Sequence, residues 1–325
     1  MKLPRRRFLH LAAGAVAFPA VSRVARAQAQ AYPARPVRIV VGFPPGIGPD
    51  IIARLVGQRL SERSGQQFVI ENRPGAGSNI GTEVVVKAPP DGYTLLWTAA
   101  VNAINATLYP DLNFNFIRDI APVAAVARTL FVMIVNPSVP AKSVPEFIAY
   151  AKANPGKINM ASQGDGTAPH VFGELFKMMA GVDLVHVPYR GDFMADLLGG
   201  RVQVAFNPIV QSLEYIRTGK LRALAMTGAK PAEALPGIPT MAEFLPGYEA
   251  SGWQGIGAPK NVPAEIIDTL NTEINAVVVG PQVKARFAEI GVEPMSMTPV
   301  EFGKFIAEET EKWAKVVKFA DIKPE

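Results

Sequence analysis

Short apolar, β-branched runs alternate with longer segments of helical period along almost the whole chain, and few folds satisfy that alternation. Val37 to Val41, Phe68 to Glu71 and Tyr93 to Thr98 read as strands, with helices near Asp50 to Arg63 and from Ser78 to about Lys87 between them. Parallel strands joined by crossover helices give this pattern, because each strand is buried on both faces. A second series follows the extended apolar run Val126 to Val135. A helix opens at Ser143, where Glu146 completes a capping box, and ends near Asn154. Strands near 158–161, 184–188, 202–206 and 221–226 then alternate with helices near 169–180, 194–198 and 210–217. Three terminal helices are expected near 263–279, 281–289 and 299–318, after a Pro- and Gly-rich stretch over 228–252. The fold class is α/β, and 325 residues with 49% hydrophobic content suffice for about two domains.

The formal charge of +5 suggests nucleic acid, but its distribution removes that partner. Six of the 33 Lys and Arg lie in the first 27 residues, which hold no acid; beyond them 27 bases face 28 acids. No basic footprint is left for a phosphate backbone. The early bases belong to an export signal expected over residues 1–27: Arg5-Arg6-Arg7-Phe8-Leu9, an apolar stretch to about Val21, and Ala25-Arg26-Ala27 before the expected cleavage after Ala27, with Ala29 and Ala31 as alternatives. The twin arginine resembles the bacterial signal that exports folded proteins. The mature chain is expected in the periplasm. With no Cys, disulfides, thiolate metal sites and Cys nucleophiles are excluded.

Nucleotide and hydrolase signatures fail. Gly46-Ile47-Gly48-Pro49-Asp50-Ile51 lacks the third Gly of a dinucleotide fingerprint, and no Gly-x-Ser-x-Gly exists. His170 and His186 stand 16 residues apart on different elements, which offers no short-range metal pair. No catalytic set, metal or cofactor is expected. What stands out is two small-residue loops, each immediately before a helix: Pro44 to Asp50, and Ser162 to His170. Their Gly residues let backbone N–H groups approach a ligand, and the helix that follows adds positive dipole. That is a site for a carboxylate held from two sides, with Thr167 as N-cap and hydroxyl donor.

At these loops the chain resembles the Bug family of periplasmic binding proteins, which serve tripartite tricarboxylate-type transporters. The likeness rests on Tyr32 to Val41, Phe43-Pro44-Pro45-Gly46 with Asp50, Glu71 to Gly77, Pro90 to Leu96, Ala151 to Lys157, Gly173 to Gly181, Val185 to Tyr189 and Gly219 to Ala225. It implies a two-lobed clamshell of the type II-like binding-protein kind, each lobe a mixed or parallel sheet flanked by helices. The first lobe would take residues 28–130 and 251–325, the second 131–250. It further implies a ligand held by Phe43, Gly46, Ile47, Gly48 and Asp50 on one side and by Ser162, Gly164, Thr167 and His170 on the other. Thr98, Ala99 and Ala100 would form a third wall. Where the family reads Gly-Gly-x-Thr/Ser-Asp, this chain has Ile47 and Pro49, and Asn207 stands where many members place an Asp that holds a ligand ammonium. Those departures, with Phe193 and Met194 in a shortened loop, point to an organic acid with an apolar body. The implied partners are that acid and membrane transporter subunits, or a sensor kinase in an orphan role, with the protein a monomer. A hydrolase using a cleft Ser is the rival from another class.

Overall fold

The computed structural model describes residues 32–189 and 191–324, so the export signal expected over residues 1–27 lies outside the described residues. In chain order the strands are β1 (Val37–Val41), β2 (Phe68–Asn72), β3 (Thr94–Ala99), β4 (Ile120–Thr129), β5 (Phe131–Val135), β6 (Asn159–Ser162), β7 (Val185–Pro188), β8 (Val204–Pro208), β9 (Arg222–Met226), β10 (Gly252–Pro259) and β11 (Val292–Pro294). The helices are α1 (Gly48–Ser64), α2 (Asn79–Val86), α3 (Ala100–Leu108), α4 (Phe116–Asp119), α5 (Val144–Ala153), α6 (Ala168–Ala180), α7 (Met194–Leu198), α8 (Ile209–Arg217), α9 (Ala264–Val278), α10 (Pro281–Glu289) and α11 (Pro299–Phe319).

They build two mixed sheets, ordered β11-β4-β10-β3-β1-β2 and β7-β6-β8-β5-β9. In each, three neighbouring strands run parallel, and an antiparallel strand joins them to the rest: β10 beside β3 and β4, β5 beside β8 and β9. Apolar runs without alternation produce this. In β1 Val37, Ile39, Val40 and Val41 are all fully buried, since helices cover both sheet faces. Ser143 caps α5 as expected by accepting from the N–H of Glu146, while the Glu146 carboxylate turns back to the N–H of Lys142.

The apolar run expected over Val126 to Val135 divides at Leu130, which alone separates β4 of the first sheet from β5 of the second. The chain returns through Ala250 into β10. Thr227 ties the two passages together: its hydroxyl lies 3.2 Å from the Phe131 carbonyl and 2.6 Å from that of Ala250, and it is fully buried. Two adjacent single-strand passages thus connect the two sheets. On the other side, α11 packs on α3 and β4 and also on α6, with Phe172 and Trp313 stacked at 5.3 Å.

Helix α3, strand β10 and the first half of β4 are absent from the sequence reading. Strand β10 reads as a loop because Gly252, Gly255, Gly257 and Pro259 punctuate it. Its neighbours require these residues. A Cβ on Gly255 would fall on the Phe302 ring and 2.7 Å from the Ala124 carbonyl oxygen. Gly255→Ala should therefore cost about 2–3 kcal/mol, read as a lower denaturation midpoint. An unchanged midpoint would mean that Phe302 and β4 yield without strain.

Candidate functional site

A cavity of about 700 Å³ lies where the carboxyl ends of the central strands of both sheets meet. Phe43 follows β1, Ala99 ends β3, Gln163 follows β6 and Pro208 ends β8, and all four line it. Open α/β sheets place ligand crevices at such strand ends. Here two sheets share one crevice.

Four helices begin on its wall. Ile47 and Gly48 start α1, Ala99 and Ala100 start α3, Thr167 and Ala168 start α6, and Pro208 and Val210 flank the start of α8. None of the four N-cap residues Ile47, Ala99, Thr167 and Pro208 caps its helix with a side chain. The first-turn N–H groups of these helices have no intrahelical acceptor, and each terminus favours an anion by about 0.5–1 kcal/mol. Among the described lining residues there is no Lys or Arg, and the one acid, Glu289, is 60% exposed and paired with Arg286. The remaining wall is largely apolar: Phe43, Ile47, Ile51, Ile104, Phe131, Val210, Trp253 and Ile290. Ile47, Ile51 and Val210 keep 43%, 40% and 46% of their surface exposed, an apolar cost that only an occupant or closure removes.

The structure sorts the residues named from sequence into wall and support. Phe43, Ile47, Gly48, Ala99, Ala100 and Thr167 line the cavity. Asp50 does not. It is 1% exposed, and its carboxylate accepts from the Gly46 N–H at 2.8 Å, Arg54 Nε at 2.9 Å and Asn72 Nδ2 at 2.7 Å. Burial raises its pKa, but the hydrogen bonds from Arg54, Gly46 and Asn72 more than offset this and hold it below the usual carboxylate range. Asp50 is thus the clamp that fixes the turn, with Gly46 at φ 83°, where a Cβ would be strained. Thr98 is fully buried behind the wall. The Thr167 hydroxyl, expected on a ligand, donates to the Gly164 carbonyl at 2.7 Å and so shapes its loop.

Asn207 and the residues of the shortened loop, Phe193 and Met194, are not among the residues that line the cavity. Asn207 is 1% exposed and lies behind the cavity wall, where its amide N–H donates to Ser212 Oγ at 2.9 Å and its Oδ1 is buried without a hydrogen-bond partner. Phe193 and Met194 pack inside the second lobe's core. Both reach inward because α7 closes over its own sheet.

Ser162 and His170 also lie behind the wall, where they meet His186. Strand β7 pairs with β6 in parallel and α6 leaves the loop after β6, so two histidines distant in sequence stack at 3.6 Å. Spacing along the chain offered no short-range pair, and the fold makes one between distant positions. Ser162 Oγ is 2.6 Å from His186 Nε2, and His186 Nδ1 is 3.4 Å from Asp165 Oδ1. The order imitates a hydrolase relay, with the Ser162 hydroxyl fully buried in this structure. Burial, and after it the neighbouring His170, pushes His186 down to about 4, so it is neutral at pH 7.

Sequence reasoning missed Gln254. Its Oε1 accepts from the buried Trp97 indole N–H at 3.0 Å, and its side chain lines the cavity. With the oxygen occupied, the amide NH2 is the end left for a ligand. The signal was hidden in β10, a strand disguised by glycine.

Comparison with known proteins agrees with this geometry. Residues 52–322 match the family described as the tripartite tricarboxylate transporter family receptor, TctC. Protein BugT of Bordetella pertussis is 38% identical over 295 residues, covering 89% of this chain and 90% of BugT. The structure of R. palustris Rpa4515 with adipate has a TM-score of 0.76 and 36% identity, covering 90% of this chain and all of that one. MatC (Rpa3494) from Rhodopseudomonas palustris with bound malate has a TM-score of 0.72 and 28% identity, covering 88% of this chain and 100% of its own. The Bug likeness and the two-lobed α/β fold expected from sequence are both borne out. The chain belongs to the tripartite tricarboxylate transporter receptor family.

Proposed function

We propose that this protein captures a small organic carboxylate with an apolar body and presents it, from the periplasm, to the membrane subunits of a tripartite tricarboxylate-type transporter. The observation that carries this reading is the convergence of four uncapped helix N-termini on a cavity without Lys or Arg. Backbone N–H groups and helix dipoles supply a carboxylate with donors, and Gln254 adds a fixed one. Ile47, Ile51, Phe131 and Val210 suit an alkyl or aromatic body. A zwitterionic amino acid would bury its ammonium against a wall whose single acid, Glu289, is exposed and already paired, at a cost of several kcal/mol. The adipate- and malate-bound relatives support a carboxylate ligand.

Capture works by rotation about the two passages tied by Thr227. Closing brings the termini of α1 and α3 toward those of α6 and α8, expels water and strengthens each hydrogen bond to the anion. The closed shape is the surface that membrane subunits recognise.

A thermal-shift panel of aromatic and aliphatic mono- and dicarboxylates against amino acids tests the reading. A ligand at about 100 times its dissociation constant adds roughly 2.7 kcal/mol, a melting shift of roughly 5–10 °C for a chain of this size. If only amino acids raise the melting temperature, the proposal fails.

A further inference from the structure

We propose that His170 is the positioning residue of the second lobe's cavity loop: its unprotonated Nδ1 accepts the Gly166 N–H and so holds Gly166 and Thr167 in the wall, and a proton on that nitrogen releases them. Gly166 N lies 3.2 Å from His170 Nδ1. Gly166, Thr167 and Ala168 all line the cavity, and α6 begins at Ala168, so the bond fixes the approach to a helix N-terminus that faces the occupant. Gly164 and Gly166, at φ 117° and 69°, bracket Asp165 and give the loop the backbone freedom to leave this conformation. A Cβ on Gly166 would fall 2.6 Å from Leu108 Cδ2 at the end of α3, so the first lobe also touches the loop at this point.

His170 is buried, and both of its nitrogens are committed. With the Nδ1 lone pair on Gly166, the ring proton sits on Nε2, 3.7 Å from Glu174 Oε1, an oxygen that also accepts from Lys177 at 2.8 Å. His186 of β7 stacks on the ring at 3.6 Å, within 7° of parallel. Among the described residues, the charged groups that face this pair are Asp165 from the loop and Glu174 and Lys177 from α6. A proton on Nδ1 turns the acceptor into a donor. The Gly166 N–H then meets another N–H, while Asp165 Oδ1, 3.6 Å away, is an acceptor within reach. Turning toward it moves Asp165 and, with it, the adjoining Gly166. His186, pushed down to about 4 by burial and by His170, does not compete for that proton near neutral pH. Where the α6 terminus holds a carboxylate, a consequence that rests on the function proposed above, acid pH weakens capture.

The test uses the untagged, isotope-labelled full chain with no solute added, and reads hydrogen exchange of the Gly166 amide by NMR, normalised to the unstructured rate at each pH. In the parent, protection should fall at least about tenfold between about pH 7.5 and pH 5, as loss of one hydrogen bond does. His170→Asn places an amide oxygen near the position of Nδ1 and cannot titrate in this range, so its Gly166 should stay protected at both ends. His170→Phe keeps a ring against His186 without an acceptor, and protection should be low throughout. A parent whose protection does not change with pH, or a His170→Asn protein that follows the parent's profile, overturns the proposal. These two comparisons stand whether or not the Phe variant folds. Because no solute is present, the outcome is independent of the carboxylate reading.

Discussion

Glu309→Leu is expected to lower stability by about 3–5 kcal/mol and the melting temperature by roughly 6–15 °C. Glu309 is 6% exposed, and its Oε2 accepts from two indoles, Trp253 Nε1 at 3.0 Å and Trp313 Nε1 at 2.9 Å, while Lys312 pairs with Oε1. A leucine fills the space and leaves both buried N–H groups without an acceptor. An unpartnered buried donor costs about 1–3 kcal/mol, so two reach the stated range. Trp253 sits in β10 on the cavity wall, and Trp313 stacks on Phe172 of α6, so one carboxylate secures the strand beside the ligand and the helix that spans both sheets. Glu309→Gln keeps an oxygen for the indoles and should lose less. Denaturant titration of both variants decides, and a Leu variant as stable as the parent would show that the indoles find other partners.

The same features explain what could be read from the amino acids alone. The strands of unbroken Val, Ile and Leu were legible, because burial on both faces leaves a local signature. Strand β10 was not, since its glycines answer to Phe302 on α11 and Ile120 on β4, neighbours distant in sequence. The cavity loops were legible through Gly and Pro placed before helices, and Phe43, Ile47, Gly48, Ala99, Ala100 and Thr167 do line the cavity. The polar members misled for one reason. A side chain such as Asp50 or Thr167 announces hydrogen-bonding capacity, but only the folded chain shows that Arg54 or Gly164 has already used it. His170 and His186 failed in the opposite sense: spacing along the chain concealed a contact made by the pairing of β6 with β7. Sequence distance measures neither.

Gln254→Glu should weaken carboxylate binding at least about a hundredfold, some 2.7 kcal/mol or more. The substitution is nearly isosteric, and the Trp97 indole N–H, now on a Gln254 oxygen, still finds a carboxylate oxygen there, so the fold and its core bond persist. What changes is the other end. An anionic oxygen replaces the NH2 that the Trp97 bond leaves free on this cavity-lining residue, and a bound carboxylate exchanges a donor for a like charge inside a low-dielectric cleft, which costs several kcal/mol. Gln254→Leu separates the two effects: it removes the donor, worth about 1.5–3 kcal/mol to a charged acceptor, without adding charge, but it strips Trp97 of its acceptor and should melt earlier. Calorimetric titration at neutral pH, using an acid found in the thermal panel and its uncharged methyl ester, distinguishes the cases. The acid should lose far more affinity than the ester in the Glu variant. Equal losses would mean that residue 254 meets the body of the ligand, and unchanged acid binding would place the carboxylate at the helix termini alone, beyond the reach of β10.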